Sequence, residues 1–353
     1  MVALMVYASL YPFTDWRNQG LSPFAFLTAP WPRYWTAFDV GINLVGYAPL
    51  GFLLVLSHIG GRPNKLLAVI SAALLSLSME TLQSYLPMRV PSNVDLTLNV
   101  VGAGLGASAA WYLERTQTVQ SWRRLRGHWL VPDARGALVL LMLWPVALLF
   151  PASVPLGLGQ VLERLEQTLA QQLEGTLFLD WLPLREVELQ PLAPGVALIC
   201  VALGALIPCL LGGSVLRAAW QRAVFAVCVL TVGVGATALS AALSYGPDHA
   251  WAWFDLPVRV GLALALVLAC VLAVLPRRAC AVLALLALVQ HLTLLNQAPA
   301  SAYFFQTLQV WEQGRFIRFN GLAQWLGWLW PYAALLYLLV RASRTDTPTK
   351  DKR

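Results

Sequence analysis

Seven polar side chains in and between three apolar segments are the strongest chemical signal in this chain. Carboxylates and amides recur one helical turn apart, and one arginine lies in the short link between two of the segments. Ionisable groups inside a membrane span cost about 2.5–3.5 kcal/mol or more, so such a set predicts a functional site. The candidate site residues are Asp39, Asn43, Glu80, Gln83, Arg89, Asp95 and Asn99.

These residue types are suited to binding the headgroup of a lipid or a glycan. The planar guanidinium of Arg89 can hold a phosphate in bidentate fashion. Carboxylate and amide oxygens can accept hydrogen bonds from sugar hydroxyls or peptide amines. The residues therefore predict that the protein binds membrane lipids, with an anionic envelope-lipid headgroup as the ligand of this site.

Other functions are compatible with the same residues. Glu80 and Asp95 are candidates for the acid and base of a membrane-embedded enzyme, although no nucleophile motif accompanies them. The acidic side chains and amides would also suit a divalent cation, but neither a metal nor a cofactor is predicted. Transport and a membrane scaffold remain open. So does a purely structural role, in which Arg89 neutralises Glu80 or Asp95 and the aspartates cap helices.

The elements that must position these side chains are apolar. Of the 353 residues, 58% are hydrophobic and only 12% are charged, whereas soluble domains average about 25% charged residues. Several runs approach the roughly 17–25 residues that cross a bilayer. We therefore predict an all-α, polytopic transmembrane helical bundle of about ten spans. These lie near residues 1–13, 39–58, 65–86, 95–113, 136–152, 194–212, 220–245, 256–275, 279–296 and 321–340.

Charge distribution predicts the orientation of these spans. With the N-terminus in the cytoplasm, sixteen of the 24 lysines and arginines fall in cytoplasmic segments and eight fall outside. This bias favours cytoplasmic N- and C-termini under the positive-inside rule, and it places the polar cluster at the extracytoplasmic end. The net charge of +7 follows the same topogenic pattern, so no nucleic-acid partner is expected.

The basic segment 114–135 divides the chain into two membrane modules. We expect a four-helix module at 1–113, a basic cytoplasmic loop at 114–135, a six-helix module at 136–340 and a cytoplasmic tail at 341–353. In the outer loop 153–193, leucines spaced by three and four predict an amphipathic extracytoplasmic helix. That helix would lie on the membrane surface or cap the bundle, with a soluble partner as the alternative.

Glycine and tryptophan positions add two expectations about packing. Gly102 and Gly106 continue the stripe of Asp95 and Asn99, and small residues at such spacing let helix backbones approach closely. Tryptophans between Trp325 and Trp330 are expected to anchor the chain at the membrane interface.

The same polar residues resemble a known family. Their order and spacing are similar to those of the VanZ-like family of bacterial membrane proteins, over about the first 113 residues. The resemblance implies a small helical module in the bacterial cytoplasmic membrane. It suggests an effect on glycopeptide susceptibility, because the founding member is associated with low-level teicoplanin resistance, but it implies no settled biochemical activity. The matching pieces are Asp39-x-x-x-Asn43, Tyr47-Ala48-Pro49-Leu50-Gly51-Phe52, Glu80-x-x-Gln83, Leu86-Pro87-x-Arg89 and Asp95-x-x-x-Asn99-x-x-Gly102-x-x-x-Gly106.

Overall fold

The described part of the chain is helical and falls into two compact units. The computed structural model describes residues 1–11, 13–20, 22–31, 37–57, 64–179, 189–190, 192–299 and 317–343. The units are Met1–Leu125 and Arg126–Arg353. Within the described residues there is no β-strand, and one isolated bridge pairs Leu130 with Leu216. The predicted all-α class is therefore confirmed.

The first unit contains four helices and most of a fifth. Side-chain caps fix two of their beginnings: Asn64 accepts from the Leu67 amide, and Ser92 accepts from the Val94 and Asp95 amides. Such caps satisfy amides that have no partner within the helix. The helices are α1 (Val2–Leu10), α2 (Ala37–Leu56), α3 (Lys65–Gln83), α4 (Asn93–Arg115) and α5 (Thr118–Trp129).

The described residues of the second unit form seven further helices. Prolines open α8 and α10, and Asp255 caps α10 by accepting from the Val258 amide. Proline suits a first helical turn because its fixed φ is helical and no amide partner is needed there. The helices are α6 (Arg135–Ala147), α7 (Leu162–Gln172), α8 (Pro194–Gly213), α9 (Ala219–Tyr245), α10 (Leu256–Leu272), α11 (Arg277–Leu295) and α12 (Ile317–Ser343).

Six of these helices, α3, α4, α8, α9, α11 and α12, are long and apolar enough to cross a membrane. Shorter apolar helices occur in α2, α6 and α10, and α1 has only nine residues. Each of the ten predicted spans thus coincides with a helix, but length and composition support only six as spans. The count of ten stays a prediction.

The closest helix packing in the first unit joins α2 to α4. A Cβ added to Gly102 or Gly106 would lie 2.2 Å from the Leu44 carbonyl oxygen or 1.8 Å from that of Ala48, both on α2. Gly51 of α2 is in similarly close contact with the backbone of α4. The predicted close approach is confirmed, and the glycines of α4 allow it because nothing larger fits.

The second unit packs around α8, the most completely buried of its candidate spans. Helix α8 contacts α10 and α11, and α12 packs against α6 and α11. His291 of α11 is buried and donates from Nδ1 to the Cys200 carbonyl over 3.0 Å. Trp330 is also buried and donates to the Leu140 carbonyl over 2.7 Å. The interfacial role predicted for Trp330 is therefore wrong, whereas Trp325 is 47% exposed.

Two segments between the predicted spans contain helices of their own. The basic segment 114–135 includes α5, which carries Arg124 and Arg126. The outer loop 153–193 includes the amphipathic α7, on which Leu162, Leu165 and Leu169 are exposed. A helix in this loop was predicted from its leucine spacing.

Candidate functional site

Polar side chains from α2, α3 and α4 meet at one end of the first unit. This end is where α2 begins, α3 finishes and α4 begins, because the three helices run alternately up and down. Asn43 lies in the second turn of α2, Glu80 lies near the end of α3, and Asp95 lies in the first turn of α4. Asp39 is in the first turn of α2, but its side chain lies outside the described residues.

Asn43 and Asp95 form the direct link between α2 and α4. The Asn43 side-chain amide donates to Asp95 Oδ1 over 2.8 Å, and both side chains are half-buried. The hydrogen bond joins two residues that the sequence placed on different spans. It occupies one acceptor position of the carboxylate, which when ionised has about four lone-pair sites.

Glu80 lies deeper, with 4% of its surface exposed. Its Oε2 accepts from the Ser92 backbone amide over 2.8 Å, and Ser92 is the N-cap of α4. The start of a helix carries partial positive charge, which favours a carboxylate at this position. Asp95 is close enough to act on Glu80 electrostatically, so the site holds two neighbouring carboxylates that differ in burial.

A third hydrogen bond of the cluster lies about one turn further into the unit. The Asn99 side-chain amide donates to Ser76 Oγ over 2.9 Å, and both residues are buried. The Tyr47 hydroxyl lies beside Ser76 and Glu80. Within the described part of the chain, this hydroxyl and Asn99 Oδ1 are buried without a hydrogen bond of ordinary geometry. Buried polar atoms of this kind require an explanation, such as a water or a ligand.

The described contacts of Gln83 and Arg89 run to α1. Gln83 donates to the Ser9 carbonyl over 2.9 Å. Arg89 donates from Nη2 to the Tyr11 carbonyl over 2.6 Å and to the Ala8 carbonyl over 3.4 Å. Carbonyls at the end of a helix have no partner within it, and a cation there is favoured by the helix dipole. These two side chains therefore hold the end of α1.

The comparison with protein families supports the resemblance seen in the sequence. Residues 1–114 match the model of the VanZ/LLP1 family. The match ends at the last turn of α4, and the rest of the chain lies beyond it. No match was found among the curated proteins or the solved structures.

The polar end of the VanZ-like segment is covered by the chain that follows α1. The Arg17 amide donates to the Tyr85 carbonyl over 3.0 Å, and the Gln19 side chain donates to the Ser84 carbonyl over 2.8 Å. Asn93 reaches from α4 to the Ala29 carbonyl over 2.6 Å. These three bonds fasten the described residues 13–20 and 22–31 across the ends of α3 and α4, beside the polar cluster.

Two participants in the VanZ-like cluster were missed as site residues. Ser76 was not among the predicted site residues, but its hydroxyl accepts from Asn99 on a neighbouring helix. Ser92 was not considered, although a serine before a helical run with an acidic residue three positions later is a known signal for a helix start. Ser76 bonds to Asn99 and Ser92 bonds to Glu80, so each contacts a predicted site residue.

The VanZ-like segment offers two described carboxylates, Glu80 and Asp95, at this site. Within the described residues of the whole chain, no three His, Cys, Asp or Glu side chains are placed to hold a metal ion. The described side chains of the site offer hydrogen bonding and proton transfer by carboxylates, amides, a phenol and hydroxyls.

Proposed function

We propose that this protein is a ten-span protein of the bacterial cytoplasmic membrane with both termini in the cytoplasm. The apolar helices and the VanZ/LLP1 match support membrane embedding. The lysine and arginine distribution supports the orientation. In this orientation the polar cluster lies at the extracytoplasmic end of the first unit, at the depth of lipid headgroups.

We propose further that the cluster binds the headgroup of a cell-envelope lipid or glycan. The observation that carries this proposal is the meeting of polar side chains from α2, α3 and α4 at one end of the first unit. Asn43 and Asp95 are only half-buried, so a ligand can reach them. Deeper in the cluster, the Tyr47 hydroxyl and Asn99 Oδ1 are buried without a hydrogen bond of ordinary geometry to any described residue.

The charge of the cluster favours a ligand that donates hydrogen bonds. Glu80 and Asp95 are acceptors when ionised, and Arg89 directs Nη2 toward the carbonyls of Ala8 and Tyr11. Sugar hydroxyls or peptide amines match these acceptors. A phosphate on Arg89, and a contact with Asp39 or Gln83, remain predictions of the sequence.

Native mass spectrometry of the full-length protein tests this function. We expect a co-purified lipid with a sugar or peptide headgroup in the wild type and at least a tenfold loss in Asp95→Asn. The matched control is Thr97→Val, since Thr97 is an exposed residue of the same helix. The proposal fails if the wild type carries no such lipid, or if Asp95→Asn retains as much of the lipid as Thr97→Val does.

An enzyme acting on the bound lipid is the second candidate. Glu80 and Asp95 are electrostatic neighbours in surroundings of different polarity. Two carboxyl groups in such different surroundings can serve as a general acid and a general base. Turnover of an envelope lipid that is lost in Glu80→Gln, with lipid binding preserved, would establish catalysis. Binding without turnover in the wild type would limit the site to recognition.

Glycopeptide susceptibility provides a cellular test of the proposed role. If the protein binds an envelope precursor, cells that produce it should change in teicoplanin susceptibility, and cells that produce Asp95→Asn should not. Ion or substrate flux in liposomes would instead favour a transporter. A scaffold would show neither flux nor lipid retention.

A further inference from the structure

The second unit contains a cavity of about 780 Å³. It lies at the end where α6 and α9 finish and α8 and α10 begin, bounded by the segment after α6 and the residues after α11. Ligand pockets in proteins typically measure about 300–1,000 Å³ and are mostly apolar with a few placed polar groups. The cavity is independent of the polar cluster in the first unit, and the family match at residues 1–114 does not cover it.

Aliphatic side chains and prolines form most of the cavity wall. Leu148, Leu156 and Val201 are among its buried aliphatic residues. Five prolines fix the wall, because their φ angles are restricted and they offer no amide donor. Two of them open α8 and α10 and so set where these helices begin. The prolines are Pro151, Pro155, Pro194, Pro257 and Pro299. A wall of this kind is shaped in advance, which lowers the entropic cost of binding.

Most polar groups in the wall already have partners within the protein. Ser240 donates to the Leu149 carbonyl over 2.8 Å, and Thr237 donates to the Gly233 carbonyl over 2.9 Å. Asp255 is exposed, and its Oδ1 accepts from the Val258 amide over 3.1 Å. Its carboxylate can accept further hydrogen bonds. Among the described residues that line the cavity there is no lysine or arginine.

We propose that this cavity binds the hydrocarbon chain of an uncharged amphiphile that carries a hydroxyl, either alkyl or isoprenyl, drawn from the surrounding bilayer. The chain lies against the aliphatic wall, and the hydroxyl donates to Asp255. A phosphate ester does not fit, because no cation among the described lining residues would compensate its charge and Asp255 would repel it. This site is separate from the proposed headgroup site, so either can fail alone.

Photolabelling of the full-length protein in nanodiscs tests the site. The probe is hexadecanol carrying a diazirine on its chain, and labelled peptides are located by mass spectrometry. We expect saturable labelling of residues 148–156 and of the last turns of α9. Excess hexadecanol or farnesol should compete, and their relative potency distinguishes an alkyl from an isoprenyl preference. Hexadecyl phosphate should not compete.

A matched pair of variants on α8 tests whether the photolabelling depends on the cavity. Ala197 lines the cavity, whereas Ile199 is 47% exposed and does not. We expect Ala197→Trp to reduce labelling of these segments at least fivefold and Ile199→Trp to leave it unchanged. Thr237→Trp on α9, another lining position, serves if Ala197→Trp does not fold. Undiminished labelling in a folded cavity-filling variant, non-saturable labelling, or competition by hexadecyl phosphate at the potency of the alcohols would overturn the proposal.

Discussion

Glu80 has both a structural contact and a candidate functional role in the first unit. Its buried carboxylate supports the N-terminus of α4 through the Ser92 amide, and it lies beside Tyr47 and Asp95. A structural role needs only an oxygen acceptor at this position. A binding or catalytic role needs the charge or the proton as well. Substitutions that separate the acceptor from the charge therefore distinguish the two roles.

We expect Glu80→Ala to lower the free energy of unfolding by about 1–3 kcal/mol, because the half-buried Ser92 loses the acceptor of its backbone amide. Glu80→Gln should remain within about 1 kcal/mol of the wild type, since its side-chain oxygen can still accept that hydrogen bond. Unfolding in mixed detergent micelles, followed by circular dichroism, measures both. Equal destabilisation by the two substitutions would show that the charge, rather than the acceptor, stabilises the fold.

At the residue scale, the sequence identified the important polar side chains better than it predicted their hydrogen-bond partners. Asn43 and Asp95 were placed at the same depth by span order alone, and they bond to each other. Gln83 was grouped with Glu80 from their spacing, yet its described partner is the Ser9 carbonyl. A backbone carbonyl at the end of a helix carries no sequence signature, so this contact could not be predicted.

The contact between α2 and α4 is the element-scale feature on which the cluster depends. Asn43 and Asp95 can bond over 2.8 Å because glycines bring the two backbones together on the same side. At this separation Cα–H groups and carbonyls also approach each other, which adds weak hydrogen bonds. Widening this contact should therefore disturb both packing and site.

Gly106→Ala tests the contact against a control on the same helix. Its new Cβ would lie 1.8 Å from the Ala48 carbonyl oxygen, whereas a Cβ on Gly104 would meet nothing within 4 Å. We expect Gly106→Ala to cost about 1–3 kcal/mol of unfolding free energy through overpacking. Gly104→Ala should be neutral or stabilising by up to about 1 kcal/mol through helix propensity. Similar effects of both substitutions in a detergent unfolding titration would contradict the packing account.

Helix α1 depends on neighbours because nine residues are too few for a stable isolated helix. Arg89→Leu removes the donor to the Tyr11 carbonyl. We expect amide hydrogen exchange in Val2–Leu10 to accelerate at least tenfold while α4 stays protected. Arg17→Leu is the control, because Arg17 contributes its backbone amide to the Tyr85 carbonyl and its side chain is exposed. Unchanged hydrogen exchange in Arg89→Leu would show that contacts other than Arg89 stabilise α1.

Apolar runs predicted the helices well because a bilayer requires its spanning segments to satisfy their own backbone groups. Predicted and observed bounds of α8 differ by one residue at its end. The helix α5 was not predicted, because basic residues in a short connecting segment were interpreted only as a topogenic signal. Arg222 was counted only as one of the sixteen cytoplasmic charges, although it is buried and donates to the Leu216 and Ala273 carbonyls near two helix ends.

At the scale of the whole molecule, the two units differ in where their polarity lies. The described polar cluster of the first unit joins three helices directly. The cavity of the second unit is mostly apolar, with most polar groups bonded within its own wall. One unit is thus suited to a polar headgroup and the other to a hydrocarbon chain. Their topology in the membrane decides which leaflet each site faces.

The ten-span topology depends on α1, α2, α6 and α10, the four predicted spans that length and composition do not support. Helix α6 has thirteen residues and α10 has seventeen, which give about 20 and 26 Å at 1.5 Å per residue, against a hydrocarbon core of about 30 Å. The bilayer can thin locally around a short span at modest cost, and the turn that follows α6 adds to its length. Each short helix, if it spans, must separate its two ends onto opposite membrane faces.

Single cysteines in a background without the five native cysteines test this separation. For each of α2, α6 and α10, one cysteine is placed before the helix and another after it. With an impermeant maleimide on intact cells, we expect labelling of the cysteine on the outer side of each helix. The other member of each pair should label only after permeabilisation. The outer and inner partners are Phe24 and Asn64 for α2, Leu177 and Thr116 for α6, and Asp248 and Pro276 for α10. A pair that labels from the same face shows that its helix does not span. Reversal of all three pairs would move the polar cluster to the cytoplasmic face, where a headgroup role in the outer leaflet is impossible.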